Sequence, residues 1–268
     1  MSDPSTWIEA LEWSKSETPE KVEFFLGHFR QWRLSQSGEI PRRDKYTCDH
    51  KGKLGSKPEV IQAAIGGGTP RRSEPWFARA FFNHYDTPRN GSGVELTGSL
   101  PWHRIVDYET PLKARKGHGK YQGIGKIDLL GSGDSNECVV VELKIRPSET
   151  LFKAIVELGT YGTILRDEEV RKRLLGDFEL EGGLPCKFVV LGQSGFFRRP
   201  LYARLCEAAR ALAPTLGGEM AFVEMSSLSA DVVREGRWLD RAALEDFRPR
   251  LAAATRLEFK LVEMWPFR

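Results

Sequence analysis

The chain has 268 residues, with 40 Lys and Arg against 37 Asp and Glu, and a formal net charge of +3. Hydrophobic residues make up 40% and charged residues 29%, which excludes a disordered chain and supplies a core for one elaborated domain or one domain with an appendage. No run approaches the ~18 apolar residues that cross a bilayer, and Met1-Ser2-Asp3-Pro4 is not a basic segment leading into an apolar one, so membrane insertion and secretion are disfavoured and a cytoplasmic protein is expected.

Residues 1–41 read as helical: Trp7, Leu11, Val22, Phe25, Leu26, Phe29 and Trp32 recur at three- and four-residue spacings, and Thr18-Pro19-Glu20 offers a cap with proline in the first turn. Trp7, Trp13, Phe24, Phe25 and Trp32 make this stretch aromatic, which fits either a small core or a contact surface for a partner protein or a second copy. It carries four basic residues against seven acidic, whereas residues 42–72 carry eight against three. Arg42, Arg43, Lys45, Lys51, Lys53, Lys57, Arg71 and Arg72 form that basic linker, which is either simply solvated or a phosphate contact. The chain therefore divides into a helical region with a basic linker, 1–72, and an α/β domain, 73–268.

Ser73-Glu74-Pro75 opens a helix to about His84, with Ser73 capping the free amides and Glu74 complementing the dipole. Strands follow at about 104–112, 122–130 and 138–145. Lys113, Arg115, Lys116, His118 and Lys120 join the first two and, with Lys126, form a second basic segment suited to polyanions. A helix starts at Pro147-Ser148-Glu149 and runs to about Leu165. A strand at 186–192, a helix at about 200–212 and a strand at 220–226 complete the core. The tail reads as a helix followed by Leu257-Glu258-Phe259-Lys260-Leu261-Val262. The order αβββαβαβ predicts a mixed sheet flanked by helices.

Cys48, Cys138, Cys186 and Cys206 are scattered, with no C-x2-C pair to build a metal knuckle, and Cys138 and Cys186, in apolar strand-like runs, read as small buried hydrophobes. His28, His50, His84, His103 and His118 fall into no H-E-x-x-H or G-x-S-x-G pattern. Gly192-Gln193-Ser194-Gly195 lacks the Gly-Lys-Ser/Thr ending of a phosphate loop and reads as a strand-end turn.

Chemistry concentrates in Gly125-Lys126-Ile127-Asp128-Leu129-Leu130 and Val139-Val140-Val141-Glu142-Leu143-Lys144-Ile145. Glu142 and Lys144 are two apart in an otherwise apolar strand, so both leave the same face. If the Asp128 strand is its hairpin neighbour, three charges converge beside the sheet, and unpaired burial there costs several kcal/mol by order of magnitude. A hard divalent cation would resolve the carboxylate repulsion and activate a phosphodiester for attack. The rival reading is a Glu-Lys ion pair on an exposed face, with Asp128 an ordinary turn carboxylate.

Asp, thirteen residues, then Glu-x-Lys on a β-hairpin followed by a helix resembles the PD-(D/E)xK nuclease superfamily over roughly residues 73–226. The resemblance implies a restriction-endonuclease-like fold, with Asp128, Glu142 and the main-chain carbonyl of Leu143 as metal ligands and Lys144 as the catalytic lysine. Glu74 resembles the extra acidic residue many members use on the metal. Glu157-Leu158-x-x-Tyr161 resembles the Gln-x-x-x-Tyr element of the RecB-type exonuclease branch, with glutamate in place of glutamine. The activity implied is Mg2+-dependent hydrolysis of DNA, Mn2+ substituting, with the basic segments and Tyr161 on the nucleic acid. RNA cleavage and a catalytically silent nucleic-acid-binding or assembly subunit are the alternatives, and cutting both strands of a duplex would call for a homodimer.

Overall fold

The computed structural model describes residues 2–40, 78, 102, 104–112, 124–133, 135–144, 149–176, 178, 180–181, 185–225 and 259–265. Within them the β-branched and aromatic runs form six strands: β1 (Arg104–Pro111), β2 (Lys126–Ser132), β3 (Cys138–Lys144), β4 (Lys187–Gln193), β5 (Glu219–Met225) and β6 (Phe259–Trp265). They lie side by side in chain order in one sheet. The pairs β1–β2, β2–β3 and β5–β6 are antiparallel, and β3–β4 and β4–β5 are parallel. Parallel neighbours need a crossover, and helices supply both. These are α3 (Leu151–Leu165) with α4 (Glu168–Gly176) between β3 and β4, and α5 (Tyr202–Leu216) between β4 and β5. All seven residues of β3 are buried, as expected of a central strand covered on both faces. The expected α/β architecture with a mixed, helix-flanked sheet is present.

The β2–β3 connection is shorter than the Gly131-to-Asn136 turn read from the sequence, because Gly131 and Ser132 still belong to the ladder. The reversal is closed by Gly133 N–H donating to the Glu137 carbonyl (2.9 Å) and Asn136 N–H donating to the Gly133 carbonyl (3.1 Å). Asn136 takes φ 64°, a conformation its short polar side chain tolerates. Such a tight turn leaves little freedom in register, and register is what places the charged residues.

The N-terminal segment forms α1 (Trp7–Trp13) and α2 (Pro19–His28), capped by the side chains of Thr6 and Thr18. These helices share one apolar core with α3, α5 and the sheet. The Trp7 ring sits in the notch left by Gly159 of α3, where a Cβ would come within 2.2 Å of it. Trp7 also meets Phe25 edge-on at 6.1 Å, and Trp13 meets Phe152 of α3 at 5.7 Å. Trp7, Trp13, Phe25 and Trp32 are thus buried in the chain's own main core, with Phe24 partly buried against it. Three further differences from the sequence reading are local. Helix α3 starts at Leu151, where Thr150 accepts from Lys153 N–H at 3.1 Å, rather than at Pro147. Helix α4 was not read at all. The tail strand becomes β6, pairing with β5.

Candidate active site

The hairpin ladder pairs Leu130 with Val140 and Leu129 with Val141. One step further along that register sets Asp128 against Glu142, and side chains directly opposite leave the same face with Cβ atoms about 4.5–5.5 Å apart. Period two then adds Lys144 to that face. The expected convergence of Asp128, Glu142 and Lys144 therefore follows from the strand pairing. It lies at the carboxyl end of β3, within the parallel part of the sheet, where open α/β sheets commonly bind ligands.

Each charge has a specific setting. Asp128 is half-buried, and its Oδ2 accepts the Leu143 N–H at 2.8 Å. Glu142 and Lys144 are 3% and 1% exposed. Lys144 Nζ donates to the Glu142 carboxylate and lies 3.2 Å from Glu157 Oε2 on α3. Lys153, one helical turn earlier, holds Glu157 Oε1 at 2.9 Å. Glu142 Oε2 is buried without a hydrogen bond of its own, and Glu157 Oε2 has only the Lys144 ammonium beside it. Two such carboxylates can coexist only by sharing a proton or a cation.

The titration behaviour follows. Burial pushes the Glu142 carboxyl well above its ordinary range, and the neighbouring Asp128 and Glu157 push it further. Burial also raises Asp128 to about 7, against the pull of Lys144 and of the Leu143 N–H. For Glu157 burial acts upward too, but Lys144, the hydrogen bond with Glu142 and Lys153 outweigh it and hold the group at about 2. These directions favour a proton on Glu142 over one on Glu157. Three carboxylates, Asp128, Glu142 and Glu157, thus meet two lysines, Lys144 and Lys153, one acid more than the bases can balance.

Among the described residues no three His, Cys, Asp or Glu side chains form a ready-made metal cluster. Asp128 and Glu142 supply two carboxylates on one face. Leu143 contacts Asp128 through its N–H, and its carbonyl is the further ligand that the resemblance implies. Glu74, Arg71, Arg72, Lys113, Arg115, Lys116, His118 and Lys120 lie outside the described residues. Lys126 is exposed, with Nζ 3.3 Å from Glu109. Tyr161, read from the sequence as reaching nucleic acid, is buried (1% exposed), and its hydroxyl donates to the Lys126 carbonyl at 3.0 Å. It anchors the start of β2 to α3, two residues from Asp128.

The sequence reading missed Lys153 and gave Glu157 only a motif role. The signal available was the i, i+4 Lys–Glu spacing on the helix that follows the Glu-x-Lys strand. It also missed Glu109. This residue falls between the pairs Tyr108–Leu129 and Thr110–Ile127, beside Asp128, with φ 48°. A non-glycine residue there is strained, and such strain concentrates at functional positions. No protein-family description, curated protein or solved structure matches the chain.

Proposed function

We propose that the chain is a metal-dependent nuclease that hydrolyses phosphodiester bonds of DNA on a restriction-endonuclease-like core. The observation that carries this reading is the meeting of β2 and β3 beyond the Leu129–Val141 pair, where Asp128 accepts the Leu143 N–H and Lys144 is hydrogen-bonded to Glu142. The unsatisfied Glu142 Oε2 and the raised affinity of both carboxylates for protons fit a cation-binding role. Asp128, Glu142 and the Leu143 carbonyl would hold Mg2+, which when bound supplies Lewis-acid polarisation of the phosphoryl oxygen and neutralises developing charge. Lys144 orients the attacking water by hydrogen bonding. Glu157 and Lys153 fix the Lys144 ammonium in place, and Tyr161 fixes the backbone before Asp128.

The test is cleavage of circular and linear, single- and double-stranded DNA in Mg2+, Mn2+ or EDTA, with an RNA substrate alongside. The parent protein cuts DNA with metal and not with EDTA, and Lys144→Ala loses the activity. Equal cutting by Lys144→Ala overturns the mechanism, and preference for RNA reassigns the substrate. One observation favours a second, non-catalytic reading: Glu142, Lys144, Glu157 and Lys153 already form a closed chain of ion pairs. Calorimetric titration with Mn2+ separates the two, since a purely structural network binds no more metal than an Asp128→Ala control.

A further inference from the structure

The row of strand positions that holds Lys144 continues across the sheet. Lys144 pairs with Gly192 of β4, Gly192 with Glu224 of β5, and Glu224 with Lys260 of β6. At the usual spacing of about 4.8 Å per strand, Glu224 stands roughly 10 Å and Lys260 roughly 14 Å from Lys144. Gly192 has no side chain, and Phe196 occupies that space, since a Cβ there would lie 2.6 Å from its ring. Beyond Phe196 lies an open groove of about 410 Å3 lined by Phe197, Arg198, Arg199, Tyr202, Glu224 and Lys260.

The groove combines excess positive charge with aromatic walls. Three cations face two carboxylates: Glu224, which already accepts the Gly195 N–H at 3.1 Å, and Glu263, whose charge acts on Tyr202. Arg199 lies over the Phe196 ring at 4.3 Å and donates to the carbonyls of Phe196 (2.7 Å) and Glu149 (2.5 Å). Its side chain is therefore fixed by neutral acceptors that leave its charge uncompensated. Glu149 stands two residues ahead of α3, so Arg199 marks the border between the groove and the candidate active site. Arg198 and Lys260 are exposed. The buried Tyr202 hydroxyl turns toward Cys206 and leaves its ring in the wall, and α5 begins here without a side-chain cap. Fixed cations, a helix start and ring faces in one concavity suit a polymer that alternates phosphates with planar rings.

We propose that this groove is a phosphate track for a DNA strand continuing from the candidate active site, with Arg198 and Lys260 neutralising backbone phosphates and Arg199 guiding the strand between the two. The inference rests on the nuclease reading for the identity of the polyanion. Successive phosphates of one strand lie farther apart than the axial rise of about 3.4 Å, so the span from Lys144 to Lys260 covers on the order of two to four nucleotides. The natural ligand is accordingly a polynucleotide and not a mononucleotide.

The experiment is fluorescence anisotropy of a labelled DNA oligonucleotide titrated with protein in EDTA over a range of salt concentrations. The variants are Arg198→Glu/Lys260→Glu and a matched reversal, Lys172→Glu/Arg173→Glu, on an exposed part of α4 outside the groove. Losing two phosphate contacts makes the slope of log K against log salt shallower by about 2 and weakens binding at least about tenfold near 0.1 M salt. The α4 reversal keeps most of the affinity. Thermal midpoints check folding. If the double reversal unfolds, Arg198→Gln and Lys260→Gln each still flatten the slope by about 1. Binding within twofold of the parent, an equal loss in the α4 variant, or equal competition by polyglutamate of the same charge overturns the proposal. Because EDTA removes catalysis, DNA that binds through the groove yet is not cut in Mg2+ refutes the nuclease reading alone.

Discussion

Replacing Lys144 with methionine tests whether the buried charges hold one another in place. The ammonium is 1% exposed and sits between the Glu142 carboxylate and Glu157 Oε2, the latter at 3.2 Å. Methionine keeps the length and removes the charge. An ion pair broken on one side in a dry interior costs ~3–5 kcal/mol, because the surviving charge stays buried. Here the loss falls at the low end, near 3 kcal/mol, for two reasons. Glu142 already favours its neutral form, and Glu157 keeps Lys153 at 2.9 Å. For a chain of this size that is a fall in thermal midpoint of about 6–10 °C. Glu157, whose folded-state pKa is held at about 2 in the parent, sets the pH dependence only on the acid side. A depressed carboxylate contributes stability above its unfolded pKa and loses it as pH falls. Between pH 5 and 8 the group that matters is Asp128, which stands at about 7 against the pull of Lys144. Without Lys144 it rises further, and the variant goes on losing stability at pH values where the parent no longer does. The deficit is therefore larger at pH 8 than at pH 5. Urea denaturation of parent and variant in EDTA at both values measures it. A difference below about 1 kcal/mol at pH 8, or a deficit that grows on acidification, refutes this account of the site.

Other perturbations probe the framework. Gly159→Val drives a branched side chain into the Trp7 ring, which edge contacts with Phe25 and Trp32 prevent from yielding. A loss of about 1–3 kcal/mol in urea unfolding is expected, and no loss would mean that α1 does not pack as described. Tyr161→Phe leaves the Lys126 carbonyl without its donor and costs about 1–2 kcal/mol, read in the same assay, with a DNA affinity no lower than the parent's. Glu137 pairs with Lys187 at 2.6 Å and accepts the Ser135 N–H at 2.8 Å, and these contacts outweigh its burial to lower its pKa. Glu137→Gln therefore destabilises by about 1 kcal/mol at pH 7, and the difference closes as the pH falls below the ordinary carboxylate range, by thermal melts across pH.

Local alternation alone set the most consequential feature of the molecule. Glu142 and Lys144 share a face because a strand repeats every two residues, and Asp128 joins them because a short turn connects two apolar runs. The helix start at Thr18 was equally legible, since a cap is made by neighbours in sequence, whereas the Thr6 cap was not read. Helix α4 escaped because Glu168-Glu169-Val170-Arg171-Lys172-Arg173 offers so thin an apolar stripe that little distinguishes it from a solvated loop.

Tertiary structure decided which faces meet. An amphipathic pattern shows that Trp7 and Phe25 must be covered, but the cover is a notch at Gly159, some 150 residues away in the chain. Glu157 and Lys153 reach the charged cluster only because α3 packs back over β3, and the same packing buries Tyr161. The groove at Lys260 exists because β6 adds to the edge of β5, which nothing in the tail sequence specifies. Local periodicity fixes the direction in which a side chain leaves its own element. What stands opposite depends on burying apolar faces together, and that is a property of the whole chain.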